Sequence, residues 1–263
     1  MSDWISIVLL GIIEGITEFL PISSTGHLLI AERWLPRQTE LFNIVIQSGA
    51  VLAVIPLFHE RFRQFLFQWR ERKTQDYALK ILLAFFITGA GGLGLKKMGL
   101  ELPETVWPVA VALLAGGVAF LVVEGWLKGR TLRDEVTWVM AVAVGVAQLI
   151  AAVFPGTSRS GASILFVLLL GLGRPLATEF AFLVGIPTML AAGAYEIFKT
   201  LHHPAANAPP ENWPMVGLGT LVSALVSFLA VKWLLRYVQT HTFTAFGWYR
   251  IGLALVIVIL MWR

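Results

Sequence analysis

The sequence predicts an all-α polytopic membrane protein built as an inverted-topology repeat. About ten helical segments are expected, including two re-entrant helix–loop–helix pairs. Three observations predict this. Of the residues, 57% are hydrophobic and 14% charged, against roughly 25% charged and under 50% apolar in a soluble domain. The apolar residues run along the whole chain, so the mean hydropathy of +0.76 describes one membrane domain and not a single anchor. Two of the apolar segments, finally, are short and follow proline-containing breaks that resemble one another.

The apolar stretches fall at 4–20, 22–35, 41–58, 78–95, 106–124, 136–154, 160–172, 176–198, 214–235 and 245–262. A hydrocarbon core of about 30 Å takes about 20 helical residues to cross. The stretches at 22–35 and 160–172 are too short for that. Each follows a loop containing proline, Leu20-Pro21-Ile22-Ser23-Ser24 and Phe154-Pro155-Gly156-Thr157-Ser158. Irregular backbone at membrane depth needs partners inside the protein, which makes such segments discontinuous or re-entrant helices.

The two breaks belong to a repeat. Gly11-Ile-Ile-Glu-Gly-Ile-Thr-Glu-Phe-Leu-Pro-Ile-Ser-Ser aligns without gaps on Gly145-Val-Ala-Gln-Leu-Ile-Ala-Ala-Val-Phe-Pro-Gly-Thr-Ser. Glu14 thereby matches Gln148, Pro21 matches Pro155 and Ser24 matches Ser158. The copies are taken as 1–124 and 125–263. Five segments per copy is an odd number, so the second copy inverts.

Loop charge sets the orientation. Arg61, Arg63, Arg70, Arg72, Lys73 and Lys80, then Lys128, Arg130 and Arg133, mark two cytoplasmic stretches. The 199–213 loop carries only Lys199 and is expected outside, as is the N-terminus. Lys96 and Lys97 are the discordant pair. The first basic residue is Arg33, so the basic start of a cleavable signal peptide is missing and the first apolar segment is expected to remain. Cysteine is absent, which excludes disulfides and thiolate metal sites. The net charge of +4 is explained by cytoplasmic loops, and nucleic acid is set aside as a partner.

Three groups of residues carry chemistry. Glu14 and Glu18 sit in an apolar segment at a spacing that puts both on one helical face, roughly 5–6 Å apart at Cβ. Charge at that depth costs several kcal/mol unless paired, solvated or metal-bound, so the pair calls for a cation or a proton. The bland reading is a structural contact in the bundle. The first loop, Ser23-Ser24-Thr25-Gly26-His27, sets hydroxyls and an imidazole at a helix start, where a phosphate is favoured. A serine near a histidine is also the pattern of an activated nucleophile. The second loop, Thr157-Ser158-Arg159-Ser160-Gly161-Ala162-Ser163, isolates an arginine in apolar sequence. A guanidinium there faces an anion or a cavity, since it binds phosphate through two parallel bonds and does not deprotonate. A salt bridge to Glu14, Glu18 or Glu179 is the structural alternative. Inverted copies would bring both loops together.

Glu14-Gly-Ile-Thr-Glu18-Phe-Leu-Pro-Ile-Ser-Ser-Thr-Gly-His27 and Pro155-Gly-Thr-Ser-Arg-Ser-Gly-Ala resemble the two signature motifs of the bacterial undecaprenyl-pyrophosphate phosphatases of the bacitracin-resistance type. The resemblance covers the whole chain. It implies removal of the terminal phosphate of a polyprenyl pyrophosphate, which recycles the carrier lipid of peptidoglycan synthesis. It also implies a divalent cation, magnesium or calcium, and a bacterial inner membrane with the site facing the periplasm or exterior. By position, Glu14 and Glu18 match the family's carboxylate pair and metal site, and His27 its histidine. Ser23 and Ser24 match its first-loop serines, and Ser158, Arg159 and Ser160 its Ser-Arg-Ser core. Ser163 stands where the family usually has threonine, so the hydroxyl stays and the methyl is lost.

The expected site therefore has Glu14, Glu18, Ser24, His27 and Arg159 as catalytic residues. Ser23, Thr25, Thr157, Ser158, Arg159, Ser160 and Ser163 would bind phosphate. Ser24 assisted by His27 is the chosen nucleophile, with His27 itself or activated water as alternatives. Partners are the lipid substrate and the bilayer, with room for a homodimer. Two competing classes are a phosphatidic-acid type phosphatase, disfavoured because 164–201 contains no histidine, and a transporter or flippase, which inverted repeats also suit.

Overall fold

Proline and a capping serine decide where the helices stop and restart. A computed structural model describes residues 3–98, 106–202 and 211–261. Helix α1 (Asp3–Thr17) ends ahead of Pro21, and α2 (Ser24–Ala31) begins with the Ser23 side chain accepting from the Gly26 N–H at 3.3 Å. Helix α7 (Trp138–Val153) ends in the same way. Phe154, forced out of the helical region by the following proline, is extended. Helix α8 (Arg159–Leu169) begins with Ser158 accepting from the Gly161 N–H at 3.1 Å. Ser23 and Ser158 are the non-glycine residues with positive φ, at 74° and 68°. Each is the residue that turns a broken helix into its second half.

Between them lie α3 (Glu40–Val54), which continues through a 3₁₀ turn at Ile55–Phe58 into α4 (His59–Phe67), then α5 (Arg72–Lys97) and α6 (Val106–Leu127). After α8 come α9 (Arg174–His202), α10 (Trp213–Tyr237) and α11 (Thr244–Met261). Taking α3 and α4 as one rod gives ten helical segments among the described residues, each overlapping one of the ten apolar stretches. Five of these are long and apolar enough to cross a membrane. No strand forms among the described residues; loops 128–137 and 170–173 meet only through backbone bonds between Arg133 and Gly171 and between Gly173 and Arg133. The chain is a multi-pass, all-helical membrane protein. Its outward faces carry Leu82, Phe86, Val111, Val118, Val122, Leu221, Leu225 and Leu229, all exposed, which suits a lipid surround.

Helix packing relies on small residues, as expected where lipid is as apolar as leucine. Helix α1 lies on α10, with Gly11 against the Gly219 carbonyl and Gly15 against that of Ser223. Ser227 Oγ donates to the Gly15 carbonyl at 3.0 Å. Helix α5 lies on α7, where Gly145 abuts Ile87 and Ala84. Helix α6 crosses α11 at Gly117 and Gly247, whose backbones touch. Pro187 interrupts the α9 ladder, and Thr188 Oγ1 donates to the Val184 and Gly185 carbonyls below it at 3.1 and 2.8 Å.

The two basic stretches meet on one face. Lys80 Nζ donates to the Val136 carbonyl at 2.7 Å and to Asp76. Arg61 binds Glu179 Oε1 at 2.6 Å beneath Tyr77, whose hydroxyl donates to the same oxygen at 3.1 Å. The opposite face gathers the starts of α3 and α10, where Thr39 Oγ1 donates to Glu211 at 3.0 Å. Most of the expected outer loop 199–213 lies outside the described residues, as does the Lys96 side chain.

Candidate active site

The two breaks meet inside the protein and share contacts in both directions. Ser160 Oγ lies 3.3 Å from the carbonyls of Glu18 and Leu20. Arg250, wholly buried on α11, donates to the Pro21 carbonyl of the first loop at 3.3 Å and to the Gly156 carbonyl of the second at 3.2 Å. Its remaining bonds go to the Ala112 and Leu113 carbonyls of α6, beside Gly116, where a side chain would collide with the guanidinium.

Glu18 lies one residue past the end of α1, and this release from the helix lets it reach both loops. Its Oε2 accepts from Ser24 Oγ at 2.7 Å and its Oε1 from Arg159 Nη2 at 2.8 Å. Gln47 of α3 accepts from the same Nη2 at 3.1 Å. One guanidinium nitrogen thus anchors Arg159, while Nε and Nη1 have no protein partner among the described residues. The Glu179 alternative for Arg159 is not realised, because Glu179 pairs with Arg61 on the basic face.

Glu14 stays within α1, fully buried, and neither carboxylate oxygen has a hydrogen-bond partner. Glu18, Gln47 and Arg159 are the polar groups around it. A buried carboxylate without partners is costly unless it takes up a proton or meets a cation. Among the described residues no three His, Asp or Glu cluster together, so protein donors would supply only part of a coordination shell.

A cavity of about 400 Å³ opens beside these groups, lined by Glu18, Ser23, Ser24, Thr25, Gln47, Ser158 and Arg159 together with Ile44, Ala151, Ala152, Gly156, Met189 and Ala192. Both α2 and α8 begin at its wall, so two helix N-termini, which attract anions, flank one arginine. Phe182 packs edge-on against Phe19, the neighbour of Glu18, and against Phe58, which leads into the basic stretch.

Several expected residues stand elsewhere. His27 does not reach Ser24: its Nδ1 lies 2.7 Å from the Ser23 carbonyl and its Nε2 lies 2.7 Å from the Tyr249 hydroxyl. The carbonyl can only accept, so Nδ1 carries the proton and Nε2 receives the Tyr249 hydrogen. Thr157 donates to the Phe154 carbonyl at 2.7 Å and stays off the cavity wall. Ser160 is spent on the loop contacts. Ser163, one turn along α8, is buried without a partner and away from the cavity. Thr157 lies ahead of α8, and Ser160 and Ser163 share a face of that helix that does not line the cavity. Sequence reasoning missed Gln47, Tyr249 and Arg250. Arg250 carried a signal, being an arginine within an apolar stretch, the same pattern that drew attention to Arg159.

Comparison with known proteins finds relatives along nearly the whole chain. The family described as bacitracin resistance protein BacA matches residues 7–256. An undecaprenyl-diphosphatase of Rhizobium johnstonii is 51% identical over 97% of this chain and 96% of its own. One of Xanthomonas campestris pv. campestris is 50% identical over 98% of both, and one of Xanthomonas euvesicatoria 49% over 98% and 97%.

Proposed function

Since the chain belongs to the bacitracin resistance protein BacA family and is an undecaprenyl-diphosphatase, we propose how its residues divide the hydrolysis among them. The overall reaction yields undecaprenyl phosphate and inorganic phosphate, returning the lipid carrier to peptidoglycan synthesis.

The Ser24–Glu18 hydrogen bond of 2.7 Å carries the proposal. Ser24 Oγ attacks the terminal phosphorus, its proton passes to Glu18, and the bond from that phosphorus to the bridging oxygen breaks. The lipid monophosphate leaves, and water then attacks the phosphoseryl group to release phosphate. A base already within hydrogen-bond reach of the nucleophile meets the geometric requirement for such activation. Arg159 offers its free Nε–Nη1 edge to the oxygens on which charge develops. Ser23, Thr25 and Ser158 complete the phosphate wall. His27 acts by holding the left-handed Ser23 backbone in place.

A magnesium or calcium ion belongs to the proposal. Glu14, Glu18 and Gln47 Oε1 are the residues that would hold it, and the orphaned Glu14 oxygens favour that assignment. Magnesium in particular is commonly held by one or two carboxylates with water and substrate phosphate. Bound there, the ion would neutralise charge on the pyrophosphate.

We further propose that 1–124 and 125–263 are inverted repeats, supported by the paired caps at Ser23 and Ser158 and by reciprocal packing of α1 on α10 and α7 on α5. The protein would sit in the bacterial inner membrane with its basic face in the cytoplasm and the cavity open outward. The aromatic cluster of Phe19, Phe182 and Phe58, which runs from beside Glu18 to the start of the basic stretch, supports that direction. The broad apolar exterior leaves room for a homodimer.

The deciding experiment uses purified protein and undecaprenyl diphosphate labelled in the terminal phosphate. Acid quenching should trap label on Ser24. Hydrolysis at full rate with no label on the protein, or label on His27, would overturn the serine assignment.

A further inference from the structure

The polar cavity accounts for the pyrophosphate and leaves the hydrocarbon tail without a place. A second cavity of about 370 Å³ lies on the outer surface between α5 and α7, lined by Gly91 and Gly94 of the first helix and by Val146, Leu149, Val153 and Phe154 at the end of the second. Among the described residues no charged side chain lines it. We infer that this groove is the binding site for the first isoprene units of the polyprenyl chain. The inference rests on the activity proposed above and specifies where the substrate's tail lies.

The groove follows from how the two helices end. They run side by side in one register, with Lys80 against Val136, Ile87 against Gly145 and Gly91 against Leu149. Helix α7 stops at Val153, while α5 continues to Lys97. Gly91 lets Leu149 pack closely onto α5, and the missing side chain at Gly94 leaves the gap beyond it open. Between Val146 and Phe154 the trough is about 12 Å long at 1.5 Å per residue. It ends at the residue before Pro155, where the catalytic loop begins.

The last turns of α7 form a wall shared with the active site. Positions 146, 149, 150 and 153 follow helical spacing on the groove side, while Ala151 and Ala152 line the polar cavity. Polar cavity and apolar trough thus lie on two sides of one short helix end, with Phe154 lining the trough and Gly156, two residues on, lining the cavity. A pyrophosphate seated against Ser24 and Arg159 leaves its first prenyl carbons at that junction. The chemistry of the trough, hydrocarbon walls open to lipid at one side, fits a methyl-bearing hydrocarbon chain without polar groups running out into the bilayer.

Moving a prenyl chain from lipid into an apolar trough gains no hydrophobic free energy, because lipid tails are as apolar as the wall. The gain comes from shape-fitted contact and from orienting the headgroup. Blocking the trough should therefore weaken substrate binding and leave the chemical step intact.

Gly94→Trp tests this, since a side chain at Gly94 meets nothing within 4 Å and projects into the trough. Gly92→Trp is the control: Gly92 is equally open but does not line the groove. Phosphate release is measured in detergent with undecaprenyl diphosphate and with a one-isoprene diphosphate. Gly94→Trp should raise KM for the long substrate about tenfold, equivalent to about 1.4 kcal/mol. Its kcat and its kcat/KM for the one-isoprene substrate should stay within about twofold of wild type, and Gly92→Trp should match wild type throughout. Equal loss on both substrates, or no change on either, overturns the inference. Should Gly94→Trp fail to fold, the wild-type protein with a diphosphate carrying a photoreactive group on its second isoprene unit decides. Label should fall within 91–98 and 146–154; label confined to other helices, or a trough label on ordinary phospholipid that undecaprenyl diphosphate does not displace, overturns it. If the wild-type protein releases no phosphate from undecaprenyl diphosphate, the activity itself is wrong and the groove is not at issue.

Discussion

Replacing Glu14 by methionine should make the protein more stable and inactive at once. Both Glu14 oxygens are buried without partners, and an unmade bond of this kind costs about 1–3 kcal/mol per group. Apolar replacement of buried ionic groups stabilises by about 1–4 kcal/mol in soluble proteins, so about 2 kcal/mol is expected. In a chain of this size each kcal/mol moves the unfolding midpoint by about 2–4 °C, giving a rise of about 4–8 °C. The assay is tryptophan fluorescence during heating in detergent with EDTA, reading the 10 tryptophans. Adding magnesium or calcium to a hundredfold excess over its Kd should then stabilise the wild type by about 2.7 kcal/mol and leave Glu14→Met unmoved. A variant that melts below wild type in EDTA, or that gains the same stabilisation from the cation, would refute the reasoning.

Other substitutions separate the remaining roles. Glu18→Gln should reduce kcat by about 10²–10⁴-fold, the range of a lost general base, with thermal stability little changed. His27→Gln should instead lower the midpoint and raise KM, and an unchanged midpoint with a pure kcat defect would restore His27 as the base. Arg159→Lys keeps the charge and loses the planar edge, so kcat should fall about 10²–10³-fold; full activity would reduce Arg159 to a counter-charge. A single cysteine at Thr25, on the cavity wall, should react with an impermeant thiol reagent in intact cells and be protected by substrate. Cysteine at Thr157, off that wall, should show no substrate protection. Labelling of Thr25→Cys only after the cytoplasmic face is exposed would reverse the orientation.

What could be read from the sequence follows from what lipid forbids. Ten apolar segments were visible because the bilayer admits few spanning structures. Pro21 and Pro155 marked the breaks because no interior helix tolerates them unaided. Glu14, Glu18 and Arg159 stood out because a charge in apolar sequence requires a reason. Spacing misled where side-chain direction mattered. Ser24 and His27 are three residues apart, yet the ring turns to Ser23 and to Tyr249, more than two hundred residues away. Hydroxyls at 157, 160 and 163 counted alike in sequence, but Thr157 precedes the helix and bonds Phe154, while Ser160 and Ser163 share a helix face that turns from the cavity. Gln47 looked ordinary because an uncharged amide in a helix carries no such penalty. Arg250 could be taken for a residue reaching toward a membrane interface, since it lies only two turns from the start of α11.

Arg250 also makes the catalytic loops answerable to a distant pair of helices. The guanidinium that joins the Pro21 and Gly156 carbonyls belongs to α11, and α11 is seated on α6 at Gly117 and Gly247. A bulky side chain at that seam would shift the guanidinium and, with it, the two loops relative to one another. Such a lesion should show first as lost turnover in a protein that still inserts and folds, because Arg159, Ser160 and Ser227 continue to join the halves.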